Sequence, residues 1–264
     1  MHIPFALRVI WINLDIPSLN SLGEAAIHDL QKFLFGLILA AAALVSSSPL
    51  AEERHVTLSY FESPFQNLQV DILSEAYKRI GISATFTPFP GARALKMSST
   101  GQLDGETNRI GKIKGKYPTL IQVPVPMHPL IGAAFSMDRS IKIESWEDLK
   151  PYDIGVMRGV PFYEKPTEGM DRTYANDYKQ LFNMLVHDRV DIVVGTTFSS
   201  RKTIAENYPH QEIMKHKANL IYIDTFHYLH EKNKDLVPLI QASLQEMRDS
   251  GRIDEIVQEN LKVN

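Results

Sequence analysis

The sequence predicts an α/β protein of two lobes, each a mainly parallel sheet flanked by helices, with a ligand cleft between them. Short strand-like runs alternate with amphipathic helical segments in two successive series, which is typical of such sheets. Extended stretches near 123–127 and 224–227 join the two series, so the chain is expected to cross twice between the lobes. Clefts at domain interfaces are where small ligands usually bind.

The first series has the order β-α-β-α-β. Its strands alternate apolar and polar residues, and its first helix has an apolar face and ends before a glycine. A proline opens the second helix and a glycine closes it. The predicted elements are strand Val56–Tyr60, helix Asn67–Arg79, strand 82–87, a helix between Pro90 and Gly101, and strand Leu103–Thr107.

The second series follows Met137 and repeats the alternation. It opens with a short helix, because Ser145 and Asp148 have the spacing of a capping box. Two apolar runs are typical of buried strands. The further elements are strand Tyr152–Met157, helix Lys179–His187, strand 190–194, helix Ser199–Glu206, strand 220–223, and helices Asp235–Arg248 and Ile253–Leu261.

An apolar run at 33–45 precedes both series and predicts export. It is shorter than the roughly 17–25 residues of a membrane-spanning helix and fits the roughly 7–15 residues of a secretory signal. Lys32 precedes it and small residues follow, so we expect cleavage after Ala51 and a periplasmic protein. Residues 1–30 do not fit a signal and are interpreted as lying upstream of the true translation start.

This division gives the expected domains. Residues 1–51 are the upstream extension with the signal peptide, 52–126 and 224–264 form lobe 1, and 127–223 form lobe 2. The chain contains no cysteine, so no lipid anchor, disulfide, thiolate metal site or cysteine nucleophile is expected.

Composition and motifs exclude several classes of function. Of the 264 residues, 44% are hydrophobic and 22% charged, and the net charge is −3, so no basic field for nucleic acid is expected. The run from Gly105 to Lys112 resembles a phosphate loop but has one residue too many, and no dinucleotide or nucleophile-elbow motif occurs. His227 and His230 are interpreted as helix-entry residues near the surface. We predict no catalytic residue, cofactor or metal site.

Three arginines indicate an anion site. Arg93 lies early in the helix opened by Pro90, Arg109 just beyond a predicted strand end, and Arg158 directly after a buried strand. Ligands in α/β sheets bind at strand ends, and the guanidinium fork suits a carboxylate. These arginines are therefore expected to face one cleft.

Several segments in this order resemble the bacterial extracellular solute-binding proteins of family 3. The resemblance runs from about His55 to the C-terminus. It implies the periplasmic binding protein fold of type II and a receptor, expected to be a monomer, that delivers a solute to the membrane permease of an ABC transporter. The segments are Gln69–Gly81, Pro90–Leu95 with Gly101–Gly105, Ser145–Leu149 with Ile154–Val156, Leu185–Asp191, and Tyr228–Lys232 with Met247–Ile253.

The sequence departs from the family at the amino-acid recognition points. Lys116 stands where the family's carboxylate-binding arginine is expected, and Thr196 stands where its ammonium-binding acid is expected. The usual Gly-Thr of the second lobe is Gly159-Val160. Either Glu106 replaces the missing acid, or the ligand lacks an ammonium group.

The predicted function is hinge closure around a small solute that bears a carboxylate or resembles an amino acid. Two alternatives stay open: a receptor for a signalling partner, and a cyclohexadienyl-type dehydratase with Glu106 as general acid. The expected ligand contacts are Arg109 and Arg93 to a carboxylate, Arg158 from the second lobe, Tyr60 as an aromatic wall, Thr196 as a neutral hydrogen-bonding group, and Glu106 as the substitute acid.

Overall fold

A computed structural model describes residues 54–111, 113 and 115–262. The predicted upstream extension and signal segment, with the cleavage site after Ala51, lie outside the described residues, as do Lys112 and Lys114. Within the described ranges, no helix has both the length and the apolar character needed to cross a membrane.

Strands and helices alternate along the chain as the sequence predicts. The strands are β1 (His55–Tyr60), β2 (Ser83–Pro88), β3 (Gly105–Ile110), β4 (Leu120–Gln122), β5 (Leu130–Ser136), β6 (Ile154–Met157), β7 (Arg172–Ala175), β8 (Ile192–Thr196), β9 (Met214–Lys215), β10 (Ile221–Ile223) and β11 (Thr225–His230). The helices are α1 (Pro64–Arg79), α2 (Gly91–Ser99), α3 (Pro161–Glu164), α4 (Tyr178–Val186), α5 (Thr197–Asn207), α6 (Val237–Asp249) and α7 (Arg252–Leu261), with 3-10 turns at Glu147–Leu149 and Glu231–Leu236.

The strands form two sheets, one in each lobe. The first has the order β2-β1-β3-β11-β4, and the second has the order β10-β5-β8-β6-β7 with β9 paired to β5. Strands β1, β2 and β3 are parallel, as are β6, β7 and β8. Strands β11 and β5, which follow the two crossings between the lobes, are antiparallel to their neighbours. Each sheet is therefore mixed, where the sequence predicts a mainly parallel one.

The first helix shows how local sequence positions the cleft. Ser63 is the N-cap of α1, and its hydroxyl accepts a hydrogen bond from the backbone N–H of Gln66 at 3.2 Å. Pro64 occupies the first turn, where its missing N–H costs nothing. The helix consequently starts at Pro64, three residues before the predicted start at Asn67. Its apolar face is buried on the first sheet.

The two crossing segments run side by side. The backbone N–H of Val123 donates to the carbonyl of His227 at 2.9 Å, and that of Met127 donates to the carbonyl of Thr225 at 2.9 Å. Strand β11 thus pairs with the outgoing crossing before it joins the first sheet. The predicted lobe boundaries at 126/127 and 223/224 stay predictions.

Candidate ligand site between the lobes

A cavity of about 370 Å³ lies between the two lobes. From lobe 1 it is lined by residues 61–65, which lead from β1 into α1. From lobe 2 it is lined by residues 157–160 after β6 and by the starts of α4 and α5. The cavity therefore lies at strand ends, where α/β sheets place their ligands.

Four helices begin at this cavity, one of which is the four-residue α3 with its N-cap Val160. The N-cap residues of α1, α4 and α5 are Ser63, Asp177 and Thr196, and all three line it. Asp177 caps α4 by accepting a hydrogen bond from the backbone N–H of Gln180 at 2.7 Å. Thr196 makes no such bond, so α5 starts without a side-chain cap. Free N–H groups and the helix dipole make an uncapped N-terminus attractive to anions.

Thr196 lies at the end of β8 and is only 6% exposed. Its hydroxyl is 2.8 Å from the hydroxyl of Tyr178, and its backbone N–H donates to the same hydroxyl oxygen at 3.0 Å. These two bonds explain why the Thr196 side chain does not cap α5. The predicted neutral residue therefore lines the cavity with its hydroxyl already paired.

Arg158 brings a positive charge to the lobe 2 side of the cavity. Its Nε donates to the Asn176 Oδ1 at 3.3 Å, and its guanidinium carbon lies 5.0 Å from the centre of the Tyr174 ring. Among the described residues, Nη1 and Nη2 have no hydrogen-bond acceptor. The guanidinium is thus oriented by two neighbours and keeps donors for a ligand.

The aromatic wall of lobe 1 is Phe61, one residue after the predicted Tyr60. Phe61 is 42% exposed and lines the cavity. Tyr60 ends β1, and its carbonyl accepts a hydrogen bond from the backbone N–H of Phe89 at 2.8 Å; it is not part of the cavity lining. Successive side chains along an extended chain point to opposite sides, so Phe61 and Tyr60 face different directions.

Glu106 and Arg109 form a second, buried cluster in lobe 1. The Glu106 carboxylate is 1% exposed; it accepts hydrogen bonds from the Ser59 hydroxyl at 2.8 Å and from Arg109 Nε at 2.7 Å. Arg109 Nη2 is 2.7 Å from the same carboxylate oxygen and also donates to the Gly91 carbonyl at 3.0 Å. The structure brings these two predicted residues together, but neither lines the cavity between the lobes.

A β-bulge explains how Glu106 and Arg109 meet. Residues three apart on a regular strand face opposite sides of the sheet. In β3, however, Glu106 pairs with Tyr228 and Arg109 with Phe226, so three steps on β3 oppose two on β11. The extra residue turns both side chains to one face. Arg109 is thus inside β3, and its predicted place beyond a strand end is wrong, because pairing with β11 extends β3 to Ile110.

The remaining predicted cations lie elsewhere. Arg93 is exposed on α2, with its guanidinium carbon 5.4 Å from the centre of the Phe89 ring. Lys116 is exposed, and its ammonium lies 5.6 Å from the centre of the Tyr117 ring. Neither lines the cavity.

The prediction that His227 is a surface residue at a helix entry is wrong. His227 lies inside β11 and is fully buried. Its Nδ1 donates to the carbonyl of Glu106 at 2.8 Å, so its Nε2 accepts from the Tyr77 hydroxyl, also at 2.8 Å. Burial lowers the pKa of His227 to about 4. The imidazole is therefore neutral near pH 7 and serves the core of lobe 1.

Hydrogen bonds join two helices of lobe 1 to helix α5 of lobe 2. The backbone N–H of Phe65 in α1 donates to the Ser199 hydroxyl in α5 at 3.2 Å. Lys202 in α5 donates to the carbonyl of Asn260 in α7 at 3.0 Å. Helix α5 of lobe 2 therefore contacts both α1 and α7 of lobe 1.

Among the described residues, no group of three His, Asp or Glu side chains is arranged to hold a metal ion.

Comparison with known proteins gives distant relatives. No protein-family model matches the chain. An uncharacterized protein of Shewanella oneidensis is 24% identical over 242 residues, which cover 86% of this chain and 91% of that protein. A protein of Shewanella frigidimarina, named as a sensor protein, is 21% identical over 136 residues, which cover 50% of this chain but 20% of that protein.

Solved structures show the fold. The ligand-binding core of GluR0 in complex with L-glutamate superposes with a TM-score of 0.68 at 13% identity, covering 80% of this chain and 100% of that one. A histidine kinase sensor domain similar to periplasmic binding proteins gives 0.63 at 16%, covering 80% and 97%. A mutant of ArgBP from T. maritima gives 0.60 at 17%, covering 78% and 94%. The predicted two-lobed periplasmic binding protein fold is confirmed.

Proposed function

We propose that this protein is a periplasmic receptor that captures a small carboxylate-bearing solute between its lobes and delivers it to an ABC transporter. The observation that carries the proposal is the cavity between the lobes, which is lined both by the start of α5, a helix without a side-chain cap, and by Arg158. Positive helix ends and a guanidinium together favour a bound anion. The solved structures that share the fold are binding and sensor proteins, which supports a binding role.

Capture would proceed by hinge closure. The cavity walls come from both lobes, and the paired crossing segments at Val123–Met127 and Thr225–His227 are the natural hinge. A solute that contacts both walls stabilises the closed arrangement by its differential affinity for that state. In this proposal Arg158 binds the carboxylate, and Thr196 with the start of α5 lies beneath it.

The lobe 1 arginines take secondary roles in the proposal. Strands β1 and β3 are parallel neighbours, so their C-terminal ends lie on the same side of the sheet. Arg109 near the end of β3 is therefore on the same side as Phe61, which follows β1 and lines the cavity. Glu106 holds Nε and Nη2, and Nη1 remains as a donor for a ligand. Arg93 and Tyr60 do not line the cavity.

A ligand screen tests the proposal. Thermal shift assays of the purified protein against carboxylates and amino acids should find stabilising compounds, because a ligand at about 100 times its Kd adds about 2.7 kcal/mol. Small-angle X-ray scattering should then show a smaller radius of gyration with the hit bound. A complete panel that leaves both quantities unchanged would contradict the proposal.

Sensing for a signalling partner is the second candidate function. A relative named as a sensor protein and the similar histidine kinase sensor domain favour it. The binding step is the same in both functions, so only the fate of the solute distinguishes them. Deleting the gene should abolish uptake of the radiolabelled solute if the protein serves a transporter, and should abolish a transcriptional response to it if the protein serves a sensor.

The geometry does not favour the dehydratase alternative. Its general acid would be Glu106, whose two carboxylate oxygens are taken by Ser59 and Arg109. Glu106 also lies outside the lining of the cavity in which a substrate would bind. A general acid must reach the group that it protonates.

Export belongs to the proposal as well. The motivation is the apolar run at 33–45 with small residues after it. Mass spectrometry of the protein from the periplasmic fraction of its host should find an N-terminus at or near Glu52. An intact N-terminus at Met1 in the cytoplasm would overturn the receptor function.

A further inference from the structure

Five of the residues that line the cavity between the lobes are aromatic. Lobe 1 contributes Phe61 and Phe65, and lobe 2 contributes Phe162, Tyr163 and Tyr178. Rings from both lobes thus border one space of about 370 Å³, within the size range of small-ligand sites. Phe61 is one of only three large hydrophobic side chains that are exposed in the described residues. An exposed ring at a cleft is well placed to pack on an apolar ligand.

The charged residues that line the same cavity differ in how well they can bind a ligand group. Arg158 is oriented by Asn176 and Tyr174 and has two Nη atoms without an acceptor among the described residues. The two acids in the lining, Glu62 and Asp177, are both exposed, and Asp177 is engaged in capping α4. The described lining therefore contains no buried carboxylate that could receive an ammonium group.

Thr196, a buried and uncharged residue at the end of β8, lines the same cavity. Its hydroxyl is paired with Tyr178, so the interior of the cavity is neutral at this point. An ammonium group buried here would lose its water without gaining an ionic partner, which is unfavourable. A buried carboxylate would gain partners in exchange for its water, because Arg158 and the uncapped start of α5 line the same cavity.

Resting on the proposed function, we propose that the ligand is an aromatic monocarboxylate without an α-ammonium group, such as an aryl-alkanoate. Its carboxylate binds Arg158 and the start of α5, and its ring packs between Phe61 and the lobe 2 aromatics. Aromatic walls also attract cations, so a guanidinium or ammonium ligand is the competing occupant.

Isothermal titration with matched probes tests the ligand class. The aromatic carboxylates are benzoate, phenylacetate and 3-phenylpropanoate. L-Phenylalanine adds the ammonium group, 3-phenylpropanamide removes the negative charge, and L-arginine tests the cationic alternative. At least one aromatic carboxylate should bind, and the other three probes should bind at least tenfold more weakly than it does.

The outcomes separate this inference from the proposed function. Binding of L-phenylalanine or L-arginine as tight as, or tighter than, the best aromatic carboxylate would overturn the ligand class and leave the receptor function standing. Binding of aliphatic carboxylates alone would do the same. If no carboxylate and no amino acid binds, both proposals fail together.

Two variants test the role of the aromatic wall. Phe61→Ala should weaken the best aromatic carboxylate at least tenfold. Tyr222→Ala is the matched control, since Tyr222 is an aromatic residue that is 64% exposed and lies outside this cavity. The control should bind like the wild type. Equal affinity of Phe61→Ala and Tyr222→Ala would overturn the packing of the ligand ring on Phe61.

Discussion

Arg109 donates from Nε to a carboxylate oxygen of Glu106, three residues earlier in the same strand, and its Nη2 lies 2.7 Å from that oxygen. Only the bulge between β3 and β11 allows this contact. The Glu106 carboxylate is almost completely buried, so its charge depends on Arg109 and Ser59 for compensation. The pair therefore contributes to the stability of lobe 1 even without a ligand.

Replacement of Arg109 by Ala should destabilise the ligand-free protein. The change leaves a buried carboxylate without its cation, which typically costs about 3–5 kcal/mol. Urea unfolding at pH 7 measures the effect. Arg93→Ala is the control and should be close to neutral, because Arg93 is exposed. An unchanged midpoint in Arg109→Ala would show that the ion pair does not stabilise the fold.

The sequence predicts the local features of this region but not the pair itself. Periodicity and capping predict β1 and α1 to within a few residues, because those signals lie in neighbouring positions. Strand β11 is missed, because its first residues are interpreted from the sequence as an extended crossing between the lobes and no strand is extended to His230. The end of β3, the bulge and the burial of His227 all depend on that missing strand.

The lining of the cavity is also predicted only in part from the sequence. Arg158 and Thr196 both line the cavity. The sequence suggests Arg158 because it follows an apolar run typical of a buried strand, and it suggests Thr196 through the family resemblance; their roles in binding stay predictions. Phe61 is not predicted. Strand β1 ends at Tyr60 as the sequence predicts, but the sequence does not show which side chain at this strand end faces the cavity. The ion pair between Arg109 and Glu106 depends on the pairing of β3 with β11. The positions of the two residues in the sequence do not reveal it.

Stability should fall when the pH drops below the usual pKa of histidine. Burial lowers the pKa of His227 from 6.5 to about 4, so the unfolded chain binds its proton first. The stabilisation is complete above pH 6.5 and is lost as the pH falls toward 4. At about 1.4 kcal/mol for each unit, the loss reaches about 3 kcal/mol.

Urea midpoints of the wild type and His227→Gln at pH 7, 5.5 and 4 check this prediction. The variant is less stable at pH 7, but it carries no titratable group at this position. Its stability should therefore fall less steeply with pH than that of the wild type. Parallel curves for the two proteins would contradict the assignment.

Gly105 should not tolerate a side chain. A Cβ at this position would lie 2.1 Å from the backbone carbonyl oxygen of Tyr228 in β11, a contact that forces the strands apart. Gly105→Ala should therefore lose about 1–3 kcal/mol, as in other overpacked sites. Gly115→Ala is the control, because a Cβ there has no neighbour within 4 Å. Thermal unfolding of both variants decides, and equal midpoints would refute the close approach of β3 and β11.

In the proposed function, the cavity between the lobes binds a carboxylate through Arg158. Isothermal titration of the wild type and Arg158→Gln with the best carboxylate of the screen measures the contribution of this residue. Loss of the guanidinium should weaken binding by about 2–5 kcal/mol, while the melting temperature without ligand stays unchanged because Arg158 is exposed. Arg139→Gln, an exposed lobe 2 arginine paired with Glu212, should bind like the wild type. Equal affinity of the wild type and Arg158→Gln would show that Arg158 does not bind the carboxylate.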